Sequence, residues 1–263
     1  MLTRKTILLT LLFLVSFGLT AQTDTLFSDF LRLFPGKQIG PEYQSKILRI
    51  KGPFTEQRSQ HEKRTAKRII QQNDNFILLS VNYNCGAGGI CQGVDIYSFT
   101  PTGELIAQVV YSEDFGDCGF MNSIEPVIFE GNQLVTTSRK WKGDCTEDLT
   151  DSEDYRVNSY EIKSDGSIDL TREHAINPER EYFNISTELL NKKSIATLNK
   201  DELATMRNEI FASYGYQFQS EKWANYFGQF NWYKPTRESV AEQELNPIER
   251  LNLQLIQEAE NKK

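Results

Sequence analysis

Short apolar segments separated by tight turns occupy residues 76–170, and this pattern constrains the fold more than any other feature of the chain. Three connections have turn sequences: Pro-Thr-Gly at 101–103, Gly-Asn at 131–132 and Asp-Gly at 165–166. These residue types adopt the backbone angles of tight turns, and strands joined by such turns pair antiparallel. We therefore predict an antiparallel β-meander, arranged as a sheet, a sandwich or an open barrel.

The first 21 residues have the features of a signal peptide. Arg4 and Lys5 precede an apolar run at 7–19 that is too short to cross a bilayer, and Ala21 suits a cleavage site. We therefore predict an exported protein, located in the periplasm, at the cell surface or outside the cell. No transmembrane span is expected in the mature chain, and a retained membrane anchor is the alternative interpretation.

The longer connections of the predicted meander, at 84–91, 112–123 and 142–154, contain four cysteines. These are Cys85, Cys91, Cys118 and Cys145. An even number of cysteines in an exported protein indicates disulfide bonds, and a sequence without a CxxC pair argues against zinc. The loop order favours a Cys85–Cys91 bond within one hairpin. It also favours a Cys118–Cys145 bond between neighbouring loops, although three connectivities are open.

The same connections are rich in carboxylates, which bind calcium or act as acid and base in glycoside hydrolysis. The candidate acidic-loop site consists of Asp114, Asp117, Asp144 and Asp148. Their spacing matches no calcium-loop signature, and the sequence contains no GxSxG or HExxH motif. We therefore predict no catalytic residue, no metal ligand and no cofactor. An extracellular hydrolase that uses these carboxylates and a calcium-stabilised adhesion module are the alternatives.

The predicted chain is of the α+β class, with a small helical domain behind the β domain. The predicted order is a signal peptide (1–21), an N-terminal helix and charged connector (22–75), the β domain (76–170), a polar linker (171–195) and the helical domain (196–263). Apolar residues at helical spacing predict the N-terminal helix over 26–34.

The C-terminal helical domain begins with a helix through Leu203, Met206 and Ile210. Asn199 or Asp201 is its expected N-cap, because short polar side chains accept hydrogen bonds from the first turn. Further helices are expected after Ser220, a candidate cap, and from Pro247, which suits a first helical position.

The first of these helices contains RNEIFASYGY at 207–216, which resembles the RNEIYARHGY signature of the YARHG domain family. The retained signature residues include Arg207, Asn208, Glu209, Ala212 and Gly215. The residues that replace the Tyr, Arg and His of the family name are Phe211, Ser213 and Tyr214. The resemblance covers about residues 196–260. It implies a small helical module of bacterial exported or envelope proteins, with no established enzymatic activity.

The retained signature residues have a structural interpretation. Arg207 is expected to pair with a carboxylate such as Glu249, and Asn208 to bridge backbone groups between helices. A ligand-binding role for Arg207 is the alternative. Trp232 and Tyr233 depart from helical spacing and form a candidate platform for a sugar ring, with a place in the core as the other interpretation.

The net charge of -7 and the pI of about 5.1 argue against nucleic acid as a partner. Export, disulfide bonds and a sequence without a catalytic motif together predict a cell-envelope protein. We expect a non-catalytic binding or structural module that contacts an envelope glycan or another protein.

Overall fold

The computed structural model describes residues 25–50, 63–85, 90–117, 119–142 and 152–263. The predicted signal peptide lies outside these ranges, as do Cys118, Cys145, Asp144 and Asp148. Among the helices of the described ranges, none is both long and apolar enough to cross a membrane.

Eight strands form one sheet whose order follows the chain from β1 to β8. They are β1 (Lys63–Gln72), β2 (Ile77–Asn84), β3 (Ile90–Phe99), β4 (Leu105–Asp117), β5 (Phe120–Glu130), β6 (Gln133–Lys142), β7 (Ser152–Ile162) and β8 (Ile168–Ile176). The pairs β1–β2, β2–β3, β5–β6 and β6–β7 are antiparallel. Helices follow the strands along the chain, so the predicted α+β class and antiparallel meander are confirmed.

The three predicted tight turns lie between strands. Those at 101–103, 131–132 and 165–166 connect β3 to β4, β5 to β6 and β7 to β8. The Lys163 N–H closes the last of them by donating to the Ser167 carbonyl at 2.8 Å. These turns are encoded by neighbouring residues, which is why the sequence alone locates them.

The connection predicted at 112–123 is mostly β-strand, because β4 extends to Asp117 and β5 begins at Phe120. Polar residues in this hairpin concealed its strand pattern. The Tyr83 hydroxyl of β2 donates to Glu113 Oε1 of β4 at 2.8 Å. Its ring lies over Gly93 of β3, where a Cβ would meet the Tyr83 hydroxyl oxygen at 2.6 Å. A glycine in the middle strand therefore makes room for this cross-sheet contact.

Strand β1 lies in the segment predicted as a charged connector. Its Arg64 points inward, where its Nη1 lies 2.9 Å from Asp95 Oδ2 and 3.2 Å from the Tyr97 hydroxyl oxygen. A buried cation needs such partners. Since an inward-facing arginine breaks the apolar alternation of a strand, charge made this segment resemble a solvated connector.

The chain divides into two compact units, Met1–Phe115 with Ile162–Ile168 and Gly116–Glu161 with Asp169–Lys263. In the first unit, helix α1 (25–31) and helix α2 (Pro41–Lys46) precede the strands. The rings of Phe27 and Phe30 lie with their centroids 5.3 and 6.2 Å from that of Phe99. The predicted N-terminal helix is therefore present, and its apolar face packs against β3.

The second unit contains the C-terminal helices α3 (Lys200–Ser213), α4 (Glu221–Phe227) and α5 (Pro247–Glu260), with short 3₁₀ helices at Phe183–Ser186 and Glu242–Glu244. Asn199 caps α3 and Asn246 caps α5, each through a capping box. Ser220, the other expected cap, makes no capping hydrogen bond through its side chain.

Two of the apolar clusters that hold this second unit together include residues of α5. One joins α3 to α5 through Leu203, Ile210 and Ile256, which are buried. The other joins Val157 of β7 to Ile248 of α5. Strand β8 reaches Ile176 and so enters the segment predicted as a linker. Its residues are mostly exposed, as expected for the last strand of a sheet, and their polarity explains the linker interpretation.

Candidate functional site

A cavity of about 290 Å³ lies in the second unit, beside the end of β8 and the end of α3. Its polar lining comprises Glu173, His174, Asn177, Arg180, Ser213, Tyr214, Trp232 and Glu249. Ser213 and Tyr214 occupy the two positions where the family signature has Arg and His. The cavity is therefore built around the part of the signature in which this chain departs most from the family.

Arg180 is the buried cation of the cavity, with only 1% of its side chain exposed. Its Nε donates to Glu209 Oε1 at 3.3 Å, and its Nη1 donates to Ser186 Oγ at 2.9 Å. Nη1 also lies 4.0 Å from Glu249 Oε1. The third nitrogen, Nη2, is buried and has no hydrogen-bond partner within the described part of the chain.

Glu249 is held by donors from three segments. The Ser186 hydroxyl donates to Oε1 at 2.5 Å, and the Tyr214 hydroxyl donates to Oε2 at 2.6 Å. The backbone N–H of Asn246 also donates to Oε2 at 3.0 Å. Burial, followed by the nearby Glu249 carboxylate, raises the pKa of Tyr214 well above its usual value. Tyr214 is therefore a neutral donor that orients Glu249.

His174 also lines the cavity. Its Nε2 lies 3.1 Å from the backbone carbonyl oxygen of Glu244. A carbonyl oxygen only accepts hydrogen bonds, so Nε2 carries the hydrogen. In the uncharged ring, Nδ1 is then an acceptor. This Nδ1 is buried, and none of the described residues donates to it.

Trp232 is the aromatic residue after α4 that lines the cavity. Its Nε1 is buried, and across the described ranges no acceptor lies within hydrogen-bonding distance. The ring stacks on Phe230 with centroids 5.7 Å apart, which fixes its orientation. Its predicted partner Tyr233 is buried and donates through its hydroxyl to the Tyr216 carbonyl at 2.8 Å. Of the predicted aromatic platform, only Trp232 lines the cavity.

The retained signature residues have mainly structural contacts. Arg207 pairs with Glu260, with Nε 2.8 Å from Oε2, and not with Glu249 as expected from the sequence. The difference arises because Glu249 lies in the first turn of α5, near Arg180, whereas Glu260 is the last residue of that helix. Glu209 accepts hydrogen bonds from Arg180 and from the backbone N–H of Tyr182.

Asn208, Ala212 and Gly215 complete the signature. Asn208 Oδ1 accepts a hydrogen bond from its neighbour Arg207 Nη1 at 3.2 Å, and its Nδ2 has no partner among the described residues, so the expected bridge between helices is not formed there. That role belongs to Asn252, whose Nδ2 donates to the carbonyls of Ile185 and Glu188. Ala212 is buried among aromatic residues, and Gly215 has a φ of 79°.

The predicted acidic-loop site is only partly covered by the structure. Asp114 lies within β4, where its Oδ2 is 3.4 Å from Gln92 Nε2. The side chain of Asp117, together with Asp144 and Asp148, lies outside the described residues. Within the described ranges, no three His, Cys, Asp or Glu residues are arranged to hold a metal ion.

The Cys85–Cys91 disulfide bond is present and closes the β2–β3 hairpin, with Cα atoms 5.3 Å apart. The Cys85 N–H donates to the Cys91 carbonyl at 2.9 Å, so the bond lies at the end of a regular hairpin. The predicted Cys118–Cys145 bond falls outside the described residues.

Sequence reasoning missed His174 and Arg180, because both lie in the segment assigned to a linker. Arg180 has no neighbouring motif that marks it as buried. His174 is one of only two histidines in the chain, the other being His61, and this rarity was the only signal available.

Comparison with protein families places part of the cavity lining, from Arg180 onward, in one defined domain, whereas the lining residues at 173–177 precede it. The model of the YARHG domain matches residues 180–261, a range that begins at Arg180 and includes Tyr214, Trp232 and Glu249. No curated protein and no solved structure matches the chain. The C-terminal part of the chain, from Arg180 to residue 261, is therefore a YARHG domain.

Proposed function

We propose that this protein is an exported, non-catalytic binding protein of the bacterial cell envelope. Its YARHG domain would hold an envelope glycan or a protein segment at the cavity beside Trp232. The predicted signal peptide supports export, and the YARHG family is of an extracellular or periplasmic type. The Cys85–Cys91 bond is consistent with folding in an oxidising compartment.

One observation carries the binding proposal: three residues from separate segments line one cavity, and each has a buried nitrogen atom without a partner among the described residues. These nitrogens are His174 Nδ1, Arg180 Nη2 and Trp232 Nε1. A buried polar group without a hydrogen bond costs about 1–3 kcal/mol, and native proteins contain few of them. A ligand that bonds to these atoms would recover that free energy, which favours a binding site over a purely structural cavity.

The contacts of the cavity favour binding over catalysis. Ser186 is fully buried, and its hydroxyl donates to Glu249 while accepting from Arg180. A substrate has no access to this oxygen. Both oxygens of Glu249 accept hydrogen bonds within the domain. A general base must reach the proton that it removes, and these groups are already engaged.

A co-sedimentation experiment with purified peptidoglycan sacculi, followed by a glycan array, tests the proposal. The mature protein is compared with Trp232→Phe, which removes the indole N–H and keeps an aromatic ring. Trp223→Phe is the matched control, because Trp223 belongs to the same domain but does not line the cavity. We expect the wild type and the control to bind and Trp232→Phe to bind several-fold more weakly, without release of soluble fragments.

Two outcomes would contradict this function. Equal binding by the wild type and Trp232→Phe would show that the ligand binds at a surface other than the cavity. Hydrolysis of the sacculi by the wild-type protein would show that the protein is an enzyme.

A further inference from the structure

We propose that this protein binds an acyl chain with an anionic head group at a second site, a groove beside the end of α5. The inference goes beyond the proposed function, because the groove shares no lining residue with the cavity. It follows from the apolar floor of the groove, from the lysines around that floor and from the small volume of the groove.

The floor of the groove is aliphatic. The groove has a volume of about 190 Å³ and is lined by residues of α5 and of the segment at 192–196. Its apolar residues are Ile195, Ala196, Leu255 and Ala259. Ile195 is buried in the cluster that joins α3 to α5, and Leu255 and Ala259 pack against that cluster. The floor is therefore the outer side of a packed core, which fixes its shape.

The apolar row of α5 continues beyond the groove. Leu251 lies four residues before Leu255, which in turn lies four residues before Ala259. Side chains at this spacing share one face of a helix. Leu251 is 46% exposed. A single exposed leucine needs no explanation, whereas a row that leads into a groove provides contacts for a linear apolar ligand.

Three lysines surround this floor. Lys192, Lys262 and Lys263 line the groove, and Glu258 is the one carboxylate among its lining residues. The Lys263 Nζ donates to the Ala196 carbonyl at 3.0 Å, which keeps its charge at the groove. Within the part of the chain that the structure describes, none of the three lysines forms an ion pair, in contrast to lysines elsewhere. In a chain with a net charge of -7, this local excess of positive charge favours an anionic ligand.

A peptide segment fits this floor less well than an acyl chain does. Each residue of an extended peptide brings an N–H and a C=O, and burial of these groups without hydrogen bonds costs free energy. The Ala196 carbonyl already accepts from Lys263, and the rest of the floor is made of aliphatic side chains. A peptide helix is about 10–12 Å wide, too wide for a groove of about 190 Å³. An acyl chain has no polar group along its length, and its head group would meet the lysines.

Titration calorimetry of the mature protein with four soluble amphiphiles tests the inference. The probes are octanoate, the shorter hexanoate, octyl glucoside with a neutral head group and octyltrimethylammonium with a cationic one, all below their micelle-forming concentrations. A buried methylene changes affinity about fourfold, so hexanoate should bind about 15-fold more weakly than octanoate. We also expect octanoate to bind more tightly than both other octyl probes. Equal binding of octanoate and octyltrimethylammonium, or of octanoate and hexanoate, would overturn the proposal.

Vesicles distinguish a single acyl chain from a membrane surface as the occupant. Flotation of the mature protein with phosphatidylglycerol vesicles is measured beside the octanoate titration. We expect octanoate to bind in the absence of any bilayer. Retention of the protein on the vesicles without binding of octanoate would identify a bilayer surface as the partner and would overturn the acyl-chain site.

Substitutions of the lysines test the contact with the head group. Lys192→Gln and Lys262→Gln should each weaken octanoate binding about two- to fivefold, as expected for the loss of an exposed ion pair. Lys193→Gln is the matched control, because Lys193 follows Lys192 in the chain but does not line the groove. Octanoate binding that is equal in these three variants and the wild type would contradict the assignment of the head group.

A substitution in the floor tests the contact with the chain. Leu255→Asn should weaken octanoate binding about fivefold or more. Leu170→Asn is the control, because Leu170 of β8 is 53% exposed and lies outside the groove lining. Trp232→Phe should also leave octanoate binding unchanged, which separates this site from the cavity. Thermal unfolding verifies that the variants are folded, and unchanged affinity in a folded Leu255→Asn variant would overturn the proposal.

Discussion

The hydroxyl of Tyr214 donates to Oε2 of Glu249 at 2.6 Å and thereby ties the end of α3 to the first turn of α5. The Asn246 N–H approaches both oxygens, at 3.1 Å from the Tyr214 hydroxyl and 3.0 Å from Glu249 Oε2. Tyr214 occupies the position of the signature histidine. In this chain the position therefore supplies a buried hydrogen bond that connects two helices and closes one side of the cavity.

Removal of this hydroxyl should destabilise the second unit. Tyr214→Phe leaves a buried carboxylate with one donor fewer, which we expect to lower the free energy of unfolding by about 1–3 kcal/mol. Urea denaturation followed by circular dichroism measures the loss. Tyr226→Phe is the control, because the Tyr226 hydroxyl donates to Glu181 at the exposed surface. An equal loss of unfolding free energy in both variants would show that the buried hydrogen bond of Tyr214 contributes no more to stability than the exposed one of Tyr226.

The stability of the protein should depend on pH through Glu209. Burial raises the pKa of Glu209 above its usual 4.5, against the opposing effect of Arg180. The folded protein therefore holds this proton more tightly than the unfolded chain does. The resulting stabilisation is present below pH 4.5 and is lost as the pH rises through the folded-state pKa.

Glu209→Gln removes this titration. The free energy of unfolding of the wild type minus that of the variant should therefore decrease as the pH rises above 4.5. Urea denaturation of both proteins at several pH values provides the measurement. A difference that increases with pH would mean that the ion pair with Arg180 outweighs the effect of burial.

Gly215 should tolerate no side chain. Its φ is 79°, and a Cβ would lie 2.9 Å from the backbone oxygen of Lys234 and 2.6 Å from Thr236 Oγ1. Gly131 has a φ of 60° but nothing within 4 Å of its Cβ position. Both glycines belong to the second unit. A substitution at Gly131 therefore measures backbone strain alone, whereas one at Gly215 measures strain together with steric overlap.

We expect Gly131→Ala to cost about 1–2 kcal/mol, from strain alone. Gly215→Ala should cost about 1–3 kcal/mol more, because the contacting backbone must also move. Differential scanning calorimetry of the two variants tests this order. Equal melting temperatures would show that the 234–236 segment shifts without cost.

Asn252 should be more important for stability than the signature residue Asn208. Its Oδ1 accepts from the Leu190 N–H at 2.8 Å, and its Nδ2 donates to the Ile185 and Glu188 carbonyls at 2.8 and 2.7 Å. Asn252→Ala would leave these three backbone groups without their hydrogen-bond partner. We expect the free energy of unfolding to fall by about 3 kcal/mol or more.

Asn208→Ala is the matched comparison, because Asn208 is also buried but its side chain accepts a hydrogen bond from Arg207 alone among the described residues. Its loss should be about 1 kcal/mol. Equilibrium urea unfolding of both variants measures the two values. A larger loss for Asn208→Ala than for Asn252→Ala would contradict the contacts described for α5.

Local sequence patterns predicted much of the fold because they depend on residues close in the chain. The turn at 131–132, the helix at 25–31 and the Asn199 cap each require only a few neighbouring residues. The same holds for Cys85–Cys91, whose cysteines are six positions apart. Strand β1 escaped prediction because its inward-facing Arg64 depends on Asp95, a residue of β3.

The candidate site was not predictable in this way. Arg180 and Glu209 are 29 residues apart and lie on different segments. His174 and Trp232 come from β8 and from the residues after α4. Each of these residues has an ordinary sequence context. They share a cavity only in the tertiary structure, where Ile248 of α5 belongs to the same buried cluster as Val157 of β7.

The amino-acid sequence by itself determined the antiparallel meander, the helical C-terminal segment and the YARHG signature, because periodicity and turn chemistry are properties of adjacent residues. The tertiary structure alone decided which polar groups meet. Arg207 pairs with Glu260, and Glu249 receives Tyr214 and faces Arg180. Polar pairing depends on distances of a few ångströms between segments that are remote in the chain, and no local pattern encodes those distances.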